Sequence, residues 1–199
     1  MSETLPDGRR LILASTSPFR RELLARLELP FTVRAPDTDE TRWPDEPAAA
    51  LTARLAEMKA RAVARCETAA LVIGSDQAAE LDGEVIGKPG DHLQAAAQLR
   101  RAMGRTVTFY TGLCLLDSAS DHCQVMVEPF RVVFRTLTTE MIEGYLRRER
   151  PYHCAGSFKS EGLGIALFER LEGDDPTSLI GLPLIQLTRM LEAAGVAVL

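Results

Sequence analysis

Hydrophobic positions along this chain follow two patterns: short apolar runs typical of β-strands, and longer stretches with apolar residues every three or four positions. The apolar runs predict strands at 11–14, 29–33, 71–76, 78–81, 84–86, 107–116, 125–134 and 165–171. The helical spacing and its capping residues predict helices that begin near Ser17, Glu46, Asp91, Thr138 and Ile180. Because strands and helices alternate around a central antiparallel pair, we predict a mixed-sheet α/β domain with a central cleft.

Two of these helices have a predicted buried face. The second helix runs to about Cys66, and its apolar stripe consists of Leu51, Leu55, Met58 and Ala62. Lys59 lies one residue past that stripe, so it either reaches a cleft or extends its ammonium group to water. The helix after Thr138 is predicted to bury Met141, Ile142, Tyr145 and Leu146, and the final helix to span 180–194.

Composition excludes several classes of protein. The 199 residues carry a net charge of −5, so no overall positive field attracts nucleic acid, and phosphate binding requires a local cluster of cations. No apolar run reaches the ~20 residues that span a bilayer, and the N-terminus lacks a signal pattern, so we expect a cytoplasmic protein without membrane contact. Four cysteines without a CxxC pair and three histidines without ligand spacing argue against a disulfide framework or a zinc site. Residues 1–10 are expected to be flexible and 11–199 to form one domain.

The first stretch with chemical potential is 11–24, a strand followed by a hydroxyl-rich turn and a helix. Ser17 suits the N-cap and Pro18 the first helical position. Arg20 and Arg21 then add two cations to a helix end that already carries partial positive charge. A bound phosphate, held by backbone N–H groups, hydroxyls such as that of Ser15 and the guanidiniums, explains them; two solvated surface arginines are the alternative.

Two further stretches supply carboxylates. Asp37, Asp39 and Glu40 mark a loop that is either merely solvated or a source of oxygen ligands for magnesium beside a polyphosphate. Asp76 is predicted to stand at the end of a buried strand, where ligand chemistry collects in α/β folds; a turn or capping aspartate is the alternative.

Two glycine-containing loops complete the set. Lys88 lies between glycine and proline after an Asp-Gly hairpin, which suits contact with a phosphate near Asp76, although the chain has no Walker A motif. Residues 155–164 hold three glycines, two serines, a lysine and a glutamate, a composition typical of a loop whose backbone approaches a ligand closely.

Taken together, 11–24, Asp39-Glu40, 74–77 and 87–89 resemble the Maf (septum-formation-inhibitor-like) nucleotide pyrophosphatases in order and spacing, over residues 11–195. Residues 154–162 and 180–184 resemble the branch acting on 7-methyl-GTP more than the branch acting on dTTP and UTP. The resemblance implies a Maf/ITPase-like fold, in which a strongly twisted sheet and flanking helices form two lobes around the cleft.

The resemblance also implies an activity: hydrolysis of a nucleoside triphosphate between its α and β phosphates by a cytosolic, commonly dimeric enzyme. The implied cofactor is a divalent metal, Mg²⁺ or Mn²⁺ with Co²⁺ as a further candidate, held by Asp76 and Glu40. By position, Asp76 matches the catalytic proton acceptor. The phosphate- and metal-handling positions are Ser15, Arg20, Arg21, Glu40, Lys59 and Lys88, and the substrate-selecting positions are Phe19, Gln77 and Glu161.

A cationic 7-methylguanine ring suits the aromatic face of Phe19, and the guanine N1–H and amine suit Glu161 as acceptor. For Phe19 a purely structural role in the core is the alternative. Alternative functions are hydrolysis of dTTP, UTP or other modified nucleotides, and a nucleotide-binding regulator of cell division with little turnover. An RNA-binding protein is disfavoured by the acidic net charge.

Overall fold

A computed structural model describes residues 4–199. The helices and strands, in chain order, are β1 (Arg10–Ala14), α1 (Pro18–Ala25), β2 (Thr32–Arg34), α2 (Ala48–Ala64), β3 (Ala70–Leu81), β4 (Glu84–Ile86), α3 (His92–Ala102), β5 (Thr106–Asp117), β6 (Cys123–Phe134), α4 (Thr139–Glu149), β7 (Phe168–Glu172), α5 (Pro176–Ile180) and α6 (Leu184–Ala193). Short 3₁₀ helices occupy Ala155–Ser157 and Leu163–Leu167. None of the helices within residues 4–199 combines the length and apolar character needed to cross a bilayer.

The strands form one mixed sheet in the order β2-β1-β3-β5-β6-β7, with β4 paired to β3. β1 is parallel to both β2 and β3, whereas β3, β5, β6 and β7 pair antiparallel. The predicted mixed α/β architecture with flanking helices is therefore confirmed, and so is the antiparallel pairing of the two long apolar runs, β5 and β6.

Two main hydrophobic clusters divide the core into lobes that share this sheet. One cluster packs α1 and α6 on β1, and the other packs α3, α4 and β7 around the far ends of β3 and β5. β5 contributes to both: Phe109 lies in the second cluster, and Leu113 and Leu115 lie in the first. The long strands thus run through both lobes, and the cleft lies between the lobes.

Several predicted boundaries are wrong, each because a tertiary contact or a backbone angle overrides the local pattern. Asp76 does not end a strand: β3 runs on to Leu81, because β5 pairs with it along the whole stretch, Asp76 opposite Gly112. The final helix, predicted from Ile180, begins only at Leu184: Ile180 ends the short helix α5, which was not predicted, and Gly181 with φ 123° and Pro183 separate α5 from α6. The predicted strand at 165–171 begins as a 3₁₀ turn and becomes β7 only at Phe168.

The predicted buried faces are partly right. In α2, Leu51 and Leu55 are buried as predicted, but Met58 and Ala62 are only half-buried. In α4, Met141 is 47% exposed, which contradicts its predicted burial. It lies in the first turn, outside the buried face of the helix, which consists of Ile142, Tyr145 and Leu146.

The stretch predicted to be flexible, 1–10, is described from residue 4 onward. Leu5 is buried against the α1 and α6 cluster, and a terminal nitrogen of Arg9 donates to the Ala194 carbonyl at 2.6 Å. Residues 1–3 lie outside the described residues.

Candidate active site

A cleft of about 760 Å³ opens between the lobes, within the range of ligand pockets in proteins. Most of the predicted site residues line it, although they come from distant parts of the chain. The predicted residues in its lining are Ser15, Phe19, Arg20, Glu40, Lys59, Asp76, Gln77, Lys88 and Glu161.

At the floor of the cleft, Lys59 contacts two carboxylates. Its Nζ lies 2.6 Å from Oδ1 of Asp76 and 2.9 Å from Oε1 of Glu40. Lys59 is 5% and Asp76 8% exposed, whereas the Glu40 side chain is 56% exposed. Of the two predicted possibilities for Lys59, the cleft is therefore the observed one. A buried ammonium group between two carboxylates keeps both negative charges close together in the cleft.

Two glycines allow α2 to lie close enough to the sheet for this contact. A Cβ at Gly74 would lie 2.0 Å from the Ala56 carbonyl oxygen, and one at Gly112 would lie 2.1 Å from that of Thr52. Any side chain at either position would push α2 off β3 and β5. The glycines therefore set the distance between Lys59 on the helix and Asp76 on the strand.

The start of α1 forms the second part of the site. Ser17 caps the helix by accepting from the backbone N–H of Arg20 at 3.4 Å, and Ser15 Oγ accepts from the N–H of Ser17 at 3.1 Å. The guanidinium of Arg20 donates through Nε to the Gly181 carbonyl at 2.8 Å. Among residues 4–199, the other two guanidinium nitrogens have no acceptor within hydrogen-bonding distance, so they remain available to an anion.

Electrostatics at Arg20 link it to the floor of the cleft. Burial lowers the pKa of its guanidinium, and the charges of Asp76 and Glu40 oppose that shift. Arginine stays protonated because its ordinary pKa lies so far above neutrality. Arg20 is thus a permanent cation next to the two carboxylates.

Arg21 is the predicted site residue that does not line the cleft. It is exposed, because consecutive helical residues project about 100° apart and Arg20 already faces inward. The two arginines, treated as a pair in the sequence, therefore separate: Arg20 joins the cleft and Arg21 faces solvent.

The three predicted substrate-selecting residues differ in how firmly they are held. Gln77 donates from its amide to Thr111 Oγ1, Ser178 O and Leu179 O at 2.9–3.1 Å, so its orientation is fixed. Phe19 is half-buried at the cleft wall. Glu161 is exposed at the cleft mouth, with one hydrogen bond from Ser160 Oγ at 3.2 Å.

The loop that carries Lys88 is hydrogen-bonded to the segment at Tyr152, in the lobe built around α3 and α4. Lys88 itself is exposed, but Gly90 N–H donates to the Tyr152 carbonyl at 2.9 Å, and the Tyr152 hydroxyl lies 3.0 Å from Nδ1 of His92. The contact brings Lys88 and the loop that follows Tyr152 to the same rim of the cleft.

Lys159 also lines the cleft, although sequence reasoning assigned it no role. Its Nζ lies 3.2 Å from Oε1 of Glu149, whose Oε2 accepts from the Leu163 backbone N–H at 3.0 Å. The Leu163 bond and the lysine lower the pKa of Glu149. The signal in the sequence was the glycine-rich stretch 155–164, which singled out the loop but not the partner on α4 that holds it.

The residues present suit a divalent cation. Glu40 and Asp76 bring carboxylate oxygens to the cleft floor, one on each side of the Lys59 ammonium. Within residues 4–199 no group of three or more His, Cys, Asp and Glu side chains could hold a metal. Two carboxylates, completed by water in the free protein and by phosphate oxygens when a nucleotide is bound, are a ligand set typical of magnesium in nucleotide enzymes.

The chain matches a known family over nearly its whole length. The family model described as Maf-like protein matches residues 10–194. The chain belongs to the Maf family. Among Maf relatives, it is 59% identical over 194 residues to the 7-methyl-GTP pyrophosphatase of Nitrosococcus oceani, covering 98% of both chains. It is 56% identical over 192 residues to the 7-methyl-GTP pyrophosphatase of Polaromonas sp., covering 96% of this chain and 88% of the relative.

Solved structures of lower sequence similarity share the Maf fold. The Ham1 protein of Staphylococcus aureus superposes with a TM-score of 0.52 at 14% identity, covering 92% of this chain and 98% of that one. A HAM1 protein from Coxiella burnetii gives 0.53 at 14% identity, with the same coverage. At this identity the likeness concerns the fold alone, and it confirms the predicted fold class.

Proposed function

We propose that this Maf protein is a nucleoside triphosphate pyrophosphatase that converts 7-methyl-GTP and water into 7-methyl-GMP and pyrophosphate, thereby clearing modified nucleotides. The observation that carries the proposal is the pair formed by Asp76 and Lys59 on the cleft floor, with Glu40 and Arg20 beside it. The names of the relatives from Nitrosococcus oceani and Polaromonas sp. support the choice of substrate.

In the proposed reaction, Asp76 accepts a proton from a water molecule that attacks the α-phosphorus. The bond to the bridging α–β oxygen breaks, and pyrophosphate leaves with the electron pair. Oδ1 of Asp76 accepts from Lys59 at 2.6 Å, so the second carboxylate oxygen remains for the water. A base held by a buried lysine has a fixed orientation, which general-base catalysis requires.

Charge on the phosphates is neutralised by cations around the cleft. Arg20 binds the triphosphate near the N-terminus of α1, where the capped helix start and the Ser15 and Ser17 hydroxyls favour an anion. Lys88 approaches the leaving pyrophosphate from the opposite rim, and Lys59 remains at the floor. Donors already in place where negative charge develops supply a large part of catalysis in such sites.

A divalent cation, Mg²⁺ or Mn²⁺ with Co²⁺ as a further candidate, belongs to the same proposal. Glu40 and Asp76 are the residues that would hold it. The ion would match their two negative charges, so the Lys59 ammonium would then leave a net positive charge for the phosphates. When bound, the ion supplies further neutralisation of the phosphate oxygens.

Recognition of the base is assigned to Phe19 and Glu161. The 7-methylguanine ring is cationic, so it is attracted to the face of Phe19, and Glu161 accepts from its N1–H and amine. Gln77 shapes the cleft beside them, since its amide is already bound to the α5 backbone.

Location and assembly complete the proposal. The four cysteines are unpaired, which supports a reducing compartment such as the cytoplasm. A homodimer remains a prediction, and light scattering of the purified protein measures it.

The test is a screen of 7-methyl-GTP, GTP, dTTP, UTP and other modified triphosphates with Mg²⁺, Mn²⁺ and Co²⁺, in which released pyrophosphate is measured. We expect 7-methyl-GTP to give the highest kcat/KM and Asp76→Asn to lower kcat by about 10²- to 10⁴-fold. Asp174→Asn, an exposed aspartate outside the cleft lining, is the matched control.

Two results of the screen would contradict the proposal. A preference for dTTP or UTP would show that the protein is a pyrophosphatase of the alternative substrate class. Tight nucleotide binding without pyrophosphate release supports a regulatory protein instead.

A further inference from the structure

The loop that carries Glu40 has no helix or strand of its own. It connects β2 with α2 over residues 35–47, and the Glu40 side chain, 56% exposed, reaches Lys59 at 2.9 Å. An ion pair with one half-exposed partner is weakened by water, so it does not hold a long loop in place by itself. Another interaction must therefore position Glu40.

Arg54 and Glu46 provide it; we call them the loop clamp. Arg54 projects from α2 and binds Glu46 through two parallel bonds, Nε to Oε1 at 2.6 Å and a terminal nitrogen to Oε2 at 2.7 Å. Both side chains are largely buried, Arg54 13% and Glu46 6% exposed. A bidentate, shielded pair of this kind is much stronger and more directional than a surface ion pair.

The loop clamp also binds the loop backbone on both sides. A terminal nitrogen of Arg54 donates to the Thr41 carbonyl at 3.1 Å, and Glu46 Oε2 accepts from the Trp43 N–H at 3.1 Å. The indole of Trp43 covers the guanidinium, with the Arg54 carbon 4.1 Å from the ring centroid. Thr41 is the residue next to Glu40, so the contact ends one residue from the carboxylate.

The helix that carries Arg54 also carries Lys59, the ion-pair partner of Glu40. Arg54 and Lys59 are five residues apart on α2, about 7.5 Å along the helix axis. Arg54 therefore holds the chain at Thr41 through a hydrogen bond, and Lys59 pairs with the carboxylate of Glu40, the residue before it. Helix and loop together define where Glu40 stands relative to Asp76.

We propose that Arg54 and Glu46 are positioning residues, which hold Glu40 at the cleft floor and thereby set the affinity of the site for its divalent cation. The inference rests on the proposed function in assigning Glu40 to the cation. Residues that orient a metal ligand from behind commonly change metal affinity or activity by about 10- to 100-fold when they are replaced.

The experiment uses the single tryptophan of the chain, Trp43, as its reporter. Glu46→Gln leaves the guanidinium beneath the indole, so a change in acrylamide quenching of Trp43 in that variant reports movement of the loop. Arg54→Met removes the bidentate pair but keeps an apolar stem of similar reach. Arg61→Met is the control, because Arg61 lies on the same helix and pairs only at the surface, with Glu57 and Asp121 at 2.7 Å.

Mn²⁺ affinity is measured directly by electron paramagnetic resonance of the free ion, without nucleotide. We expect Arg54→Met to weaken Mn²⁺ binding by about 10- to 100-fold and Glu46→Gln to weaken it less. Both variants should increase quenching of Trp43, whereas Arg61→Met should match the wild type in both measurements. Circular dichroism and Tm establish that each variant is folded.

The inference is overturned if Arg54→Met lowers Tm but leaves Mn²⁺ affinity unchanged, since the pair then only stabilises the fold. Absence of any Mn²⁺ binding by the wild type also overturns it. Neither measurement involves turnover, so a wrong substrate in the proposed function leaves the result readable.

Discussion

The two walls of the cleft are built in opposite ways. The sheet wall, formed by Ser15, Lys59 and Asp76, lies on or against regular elements, and each of the three is 8% exposed or less. The loop wall, formed by Glu40, Lys88 and Glu161, consists of exposed residues on irregular segments. In the proposed reaction, the buried wall carries out proton transfer, and the exposed wall contributes to holding the cation and selects the nucleotide, as in sites where loops are carried by a fixed scaffold.

Among changes to the sheet wall, replacing the buried Lys59 should lower the activity most. Lys59→Met leaves Asp76 and Glu40 without the ammonium group between them, and we expect kcat to fall by about 10²- to 10³-fold. Steady-state pyrophosphate release measures the effect. Lys59→Arg should retain part of the activity, because it keeps the charge. A kcat within a few-fold of the wild type in Lys59→Met would make Lys59 a structural residue only.

The distance between α2 and the sheet can also be increased by adding a side chain at a glycine. Gly112→Ala places a Cβ 2.1 Å from the Thr52 carbonyl oxygen, so α2 must shift. We expect a loss of stability of about 1–3 kcal/mol, observed as a lower Tm, together with reduced kcat. Gly144→Ala is the control: apart from its chain neighbours and its own helix backbone, no atom of residues 4–199 lies within 4 Å of the added Cβ, and alanine favours the α4 helix. Equal Tm values for the two variants would contradict the close approach of α2.

The loop wall should respond with changed selectivity and little change in stability. Glu161→Gln should lower the kcat/KM ratio of 7-methyl-GTP to UTP by about 10- to 100-fold, since a hydrogen bond to a charged group contributes about 1.5–3 kcal/mol. Phe19 lies on α1 and not on the loop wall, but Phe19→Arg should act in the same direction by repelling the cationic ring. An unchanged ratio in both variants would remove these residues from base recognition while leaving the sheet wall intact.

The parts of the site differ in how far the sequence predicted them. Residues 15–20 carried their own signals, a cap, a helix-compatible proline and an unusual charge at a helix start, and the structure places them in the cleft. For Lys59 the sequence left two possibilities, a cleft or the solvent, because the position of its side chain depends on how closely α2 approaches the sheet. The loop clamp was missed, since Glu46 and Arg54 read as ordinary charged residues near a helix start.

The sequence by itself determined the alternation of strands and helices, the helix start at Ser17, the set of charged groups and the family resemblance. These depend on neighbours within a few positions or on motifs in order along the chain. Only the tertiary structure decided that Arg20 enters the cleft without Arg21, that Asp76 lies within a strand that continues to Leu81, and that Glu40 meets Lys59. Those outcomes depend on contacts between residues far apart in the chain, above all the approach of α2 to β3 and β5, which no local pattern encodes.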